Sequence, residues 1–156
     1  MMMEPTAIAW LVLRASYAWL LLTALKSLMS DRQGTIDSMR GMFPVGTELM
    51  AWFMFAMMGT SALSILLGFF AQVAGACMVV FNLMGVRFHL GFAKQAQEIA
   101  GQHPDNAEMA QIAAIAGVGH RTSAQKNIVL AAVGLLFLLL GTGPYSLTEP
   151  IVWGWK

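Results

Sequence analysis

From Trp52 to Val86 the chain carries no Asp, Glu, Lys or Arg, and a second charge-free run extends from Asn127 to Leu147. Backbone placed in lipid has no water to bond, so a continuous apolar run must satisfy its own N–H and C=O groups as helix. The rest of the composition agrees. Of 156 residues 58% are hydrophobic and 11% charged, where a soluble domain carries about a quarter charged residues. The mean hydropathy is +0.66. A net charge of +1 gives no electrostatic footprint for nucleic acid. The single cysteine, Cys77, lies inside an apolar run and has no intrachain partner. No Lys or Arg precedes the first apolar stretch, so that stretch reads as a retained span rather than a secretory signal.

Crossing the hydrocarbon takes about 20 apolar residues. That measure predicts an all-α integral membrane protein, a bundle of four transmembrane helices in one domain covering residues 1–156. The spans fall at about 6–28, 46–67, 71–90 and 127–147. Pro5 suits a first helical turn. The run from Val45 to Leu90 is too long for one helix, and Gly68-Phe69-Phe70-Ala71-Gln72 marks a tight hairpin between helices 2 and 3. Residues 30–44 and 91–126 are the polar connections. Within the second, His103-Pro104-Asp105-Asn106 followed by Glu108 reads as a helix start. Met109, Ile112, Ala113 and Ala116 share a face, and Gly117 and Gly119 stand ready to end it. This is an amphipathic segment between helices 3 and 4, lying on the membrane or covering the bundle, or else offering a docking surface for a soluble or membrane partner.

Basic residues orient membrane proteins. With four spans, Lys26, Arg32, Arg40, Arg87, Lys94, Arg121 and Lys126 fall on one side. That side is predicted cytoplasmic, with both termini outside, as for a multi-pass protein of a bacterial cytoplasmic membrane. Trp10, Tyr145, Trp153 and Trp155 would then line the terminal interface, and Trp52 the opposite one.

Arg14 lies about two turns inside the first span, where a charge costs several kcal/mol unless it is paired or snorkels. Gln72 and Glu149 are its expected partners if it does not simply reach the headgroups; the functional alternative is an arginine holding an anionic or quinone headgroup. Lys26, Arg87 and His89 are the other headgroup candidates, and snorkelling at span ends accounts for Lys26, Glu48 and Arg87 equally well. Only His89 is expected near membrane depth, with His103 and His120 in the polar connection, so an intrinsic bis-histidine haem is not expected. A zinc site would want three or four converging ligands. Met50, Met54, Met57 and Met58 form a stripe that suits flexible packing better than Cu(I). Ala56, Gly59 and Ala62 on the second span and Ala71 and Gly75 on the third permit close helix contact. No nucleophile–base pair, phosphate loop or paired carboxylates is evident, so no catalytic residues and no metal ligands are assigned.

Several short motifs resemble those of the DoxX/DoxD family of small four-helix membrane proteins. Lys26 and Phe43-Pro44 look like the family's opening pattern, and Leu66-Leu67-Gly68-Phe69-Phe70-Ala71-Gln72 like its Leu-Leu-Gly turn. Gly141-Thr142-Gly143-Pro144-Tyr145-Ser146-Leu147 resembles its closing Gly-x-Gly-x-x-Ser-Leu segment, the strongest single match. The resemblance implies a link to quinone-dependent sulfur oxidation. Yet where relatives often keep a glutamate and an arginine, this chain has Met58 and Gln72. The expectation is therefore a DoxX-like, non-catalytic accessory subunit of a membrane electron-transfer complex, respiratory or photosynthetic, that stabilises the assembly or shapes quinone or lipid access. Its partners would be lipids and other integral membrane subunits, with no intrinsic cofactor and a quinone or lipid as the ligand to look for. The alternative is a quinone-interacting subunit of a thiosulfate:quinone-type oxidoreductase. A small transporter is disfavoured, because no central charge or broken helix lies between spans.

Overall fold

The computed structural model describes residues 4–41, 43–102 and 105–148. The described residues are all-helical, with 85% in helix and no strand. The helices are α1 (Pro5–Ser30), α2 (Arg32–Met39), α3 (Thr47–Leu67), α4 (Ala71–Gln102) and α5 (Ala107–Leu140). Four of them, α1, α3, α4 and α5, are long and apolar enough to cross a membrane. Glu149, Trp153, Trp155, Lys156 and His103 lie outside the described residues.

Local chemistry explains each boundary. Pro5 occupies the first turn of α1, where its missing N–H has no partner to lose. The connection after α1 contains α2, because Asp31 accepts from the Gly34 amide at 3.0 Å and caps the new helix. Gln33 bonds Asp37 one turn on, and Ile36 and Met39 turn inward. Only Gly68-Phe69-Phe70 separates α3 from α4.

The polar stretch between the third and fourth spans is more helical than its composition suggests. α4 continues to Gln102, and α5 starts at Ala107 and runs without a break to Leu140. At 1.5 Å per residue each helix is about 50 Å long, well beyond the roughly 30 Å of hydrocarbon. Asn106 accepts from the Met109 amide at 3.0 Å and starts α5. Gly117 does not end the helix. A Cβ there would sit 3.7 Å from the Ala93 carbonyl and 3.8 Å from Ala96 Cβ, so the glycine faces α4 at ordinary contact distance.

The chain forms two compact units, residues 1–77 with 136–156, and residues 78–135. In the first unit α1 lies along α3. Its core includes Tyr17, Ala18, Leu21, Phe55, Met58 and Ile65, all nearly solvent-free. Met58, where the resemblance leads one to expect a glutamate, is packed as an ordinary apolar side chain at 1% exposure. Gly59 faces Leu25 of α1. Ala62, Ala71 and Gly75 are buried, whereas Ala56 is exposed. Phe137, from the end of α5, meets Trp10 at 6.3 Å and Tyr17 edge-on at 5.4 Å between ring centres. In the second unit α4 and α5 run antiparallel. Gly85 lies against Asn127, His89 against His120, and Ala93 and Ala96 against Gly117.

Candidate functional site

An α-helix leaves its last four carbonyls without helical partners. In α3 every one of them is answered. Gly68 takes the left-handed conformation, φ 66°, that a side chain resists. Its amide donates to Ile65 O at 3.3 Å, and the Phe69 amide donates to Ser64 O at 2.9 Å, the paired bonds of a Schellman turn. Leu67 O accepts from the Leu147 amide at 3.2 Å. Leu66 O is left to Arg14.

Arg14 of α1 is 3% exposed. Its Nη2 donates to Leu66 O at 2.6 Å, and its Nε to Ile65 O at 3.1 Å and Leu66 O at 3.2 Å. Its Nη1 turns the other way, donating to Pro144 O at 3.2 Å and Tyr145 O at 3.4 Å. The guanidinium thus bridges the end of α3 and the segment following α5, and among the described residues no carboxylate forms an ion pair with it. The negative end of the α3 dipole and four carbonyl oxygens take the place of a counter-ion.

The segment 141–148 is shaped to meet this cation. Gly141, φ 69°, ends α5 with its amide on Phe137 O at 3.0 Å. Gly143, φ 73°, lies directly against the Trp10 indole. Ser146 Oγ donates to Gly143 O and is bonded to Thr142 Oγ1, both at 2.7 Å. The Thr148 amide and hydroxyl both donate to Gly68 O, and the same hydroxyl accepts from the Phe70 amide. Tyr145 adopts φ 62°, unusual for a bulky residue, with its carbonyl turned to Arg14. Nearby, Gln72 donates to Leu138 O at 3.1 Å and so serves one of the last carbonyls of α5.

The two segments that resemble the family motifs, around Gly68 and around Gly143-Pro144-Tyr145-Ser146, are therefore joined, with Arg14 as the connecting residue. Sequence reading singled out Arg14 and both glycine motifs separately. It missed that the motifs bind each other and that, among the described residues, carbonyls hold the cation; the expected partner Glu149 lies outside them. Gly68 as a helix stop, leaving carbonyls without helical partners at the end of an apolar run, was the available signal.

The remaining candidates are not gathered there. Lys26 is exposed, more than three turns further along α1 and about 18 Å from Arg14 in helix rise. Arg87 is exposed and His89 half-buried in the second unit. His120, expected in a polar loop, sits on α5 with its Nδ1 3.1 Å from Nδ1 of His89. Phe92 stacks beside it, with ring centres 5.2 Å apart. The chain therefore offers two facing helical histidines where one was expected, but in direct contact, with no space for a haem iron between the two nitrogens. Among the described residues no three His, Cys, Asp or Glu side chains converge as metal ligands. Arg32 rests 5.5 Å above the centre of the Trp52 ring, a cation–π contact on the polar side of α3.

Among the described residues the fold is all-helical, with four helices long and apolar enough to cross a membrane, and the one buried arginine is committed to backbone carbonyls. Comparison with protein-family models, with curated proteins and with solved structures finds no match to this chain.

Proposed function

We propose that the protein is a DoxX-like, non-catalytic accessory subunit embedded beside larger integral subunits of a quinone-linked electron-transfer complex. The observation that carries this reading is the use made of Arg14. A catalytic or headgroup-binding arginine keeps donors free for its ligand, whereas all three nitrogens of Arg14 already donate to carbonyls. Arg14 and Lys26, two of the residues a quinone-binding site would draw on, stand too far apart to share one headgroup. Large side chains such as Trp19, Phe53, Val80 and Ile128 remain outward-facing, a surface suited to lipid and to neighbouring apolar helices. On this reading lipids and partner spans are its ligands, and it sits in a bacterial cytoplasmic membrane with both termini outside.

Purification of the intact chain from its native membrane in a mild detergent tests the proposal. The expected result is a stoichiometric partner carrying haem, flavin or chlorophyll. Quinone reduction by the isolated chain, abolished by Arg14→Ala, would overturn it.

A further inference from the structure

The His89–His120 contact has an unusual geometry. The ring centres lie 5.4 Å apart and the Nδ1 atoms 3.1 Å apart. The first distance is the second plus the two ring half-widths, so both nitrogens lie on the line joining the rings and their bonding directions oppose each other. Such a head-on contact is a hydrogen bond only while one Nδ1 carries a proton and the other offers a lone pair. Two neutral rings of opposite tautomer satisfy it, as does a pair holding one extra proton. With both rings protonated, two N–H groups and two positive charges point at each other.

We propose that this pair is a proton-sensitive latch between α4 and α5, closed at neutral pH and opened when both rings are protonated. The surroundings sharpen the response. Lys126, on α5, is one of the charged groups on the two helices. The other charged groups on the two helices are Arg87, Lys94 and Glu98 on α4, and Glu108 and Arg121 on α5. Lys94 and Glu98 face each other at 3.7 Å, so the pair's nearest unneutralised neighbours are cations. A second proton therefore enters against the positive charge carried by these two helices. Around the pair the helices touch at Gly85 against Asn127 and at Gly117 against Ala93 and Ala96, and the Phe92 ring of α4 lies against His120. The ligand of the site is the proton, and its output is the spacing of two helices at the polar end of their spans.

The test uses the full chain in nanodiscs with Cys77→Ser and His103→Gln, and spin labels at Gln95→Cys and Gln111→Cys. Lowering the pH from about 8 to about 4.5 covers the ordinary imidazole range. The label distance is expected to grow or broaden by roughly 1–2 Å or more, the scale of helix shifts at switching interfaces. Adding His89→Gln or His120→Gln should remove that change. An unchanged distance in the protein with both histidines, or the same change in the Gln variants, overturns the proposal. Should a variant fail to fold, side-chain ¹⁵N spectra of the protein with both histidines decide instead. One protonated and one unprotonated Nδ1 at high pH, titrating in two separated steps, supports the latch; two independent and equivalent titrations sink it.

Discussion

Gly143 lies so close beneath Trp10 that a Cβ added to it would fall 2.6 Å from Cδ1 of the indole. The atoms it meets belong to the base of the indole, which cannot swing aside as the tip of a long chain can. With φ at 73°, Gly143→Ala adds about 1–2 kcal/mol of backbone cost to about 1–3 kcal/mol of overpacking. We expect a lower thermal midpoint and a shifted tryptophan emission. Pairing the change with Trp10→Ala should recover the overpacking part and leave the backbone part.

Gly68→Ala is expected to be worse. The new methyl would stand 2.6 Å from the Ser146 Cα, which is backbone, and φ is again positive at 66°. Either the α3 stop or the bonds from Leu147 and Thr148 must give way. Loss of folded protein from detergent extracts, with no rescue by Ser146→Gly, is the expected outcome; full rescue would show that the side chain alone is in the way.

Arg14→Lys keeps the charge but replaces a planar fork of donors on three nitrogens with donors on a single nitrogen. It cannot serve Leu66 O and Pro144 O together, so the destabilisation should be about 2 kcal/mol, of the order of one charged hydrogen bond. Arg14→Met removes the buried cation and strands the Leu66, Pro144 and Tyr145 carbonyls, and should cost about 3–5 kcal/mol, as for breaking a buried charged pair. Unfolding in graded denaturing detergent would rank the two. A neutral Arg14→Met would refute the clamp.

Gly85→Ala makes a useful contrast. The methyl meets only the amide tip of Asn127, a flexible side-chain end. The cost should stay within about 1–2 kcal/mol, that of turning one partly satisfied amide. Asn127→Ala should relieve it.

How much of this was legible in the sequence follows from where the determinants lie. Helical spans are written as charge-free runs, and the runs around Phe55 and Leu135 leave little choice. The extension of α4 and α5 through residues 91–126 was hidden, because their Lys, Gln and Glu residues look like loop composition, while the buried alanines that seat them carry a weak hydropathy signal. Gly117 reads as a stop until its neighbour across the helix is known. The same holds for the site. Arg14 stands out in a list of residues, but its acceptors are main-chain atoms that any residue supplies. His120 was misplaced with the loop that turned out to be helix, and its pairing with His89 was lost with it.

The clamp also has a bearing on biosynthesis. Arg14 and Pro144 are separated by 130 positions. α1 therefore enters the bilayer carrying a cation whose last acceptors are still to be translated. Ile65 and Leu66 can receive it once α3 arrives; Pro144 and Tyr145 reach it only after all four spans have been made. Until then the cost of an arginine in lipid, roughly 3 kcal/mol on the insertion scale, is only partly offset. A chain halted before Pro144 keeps that cost. A finished one erases it.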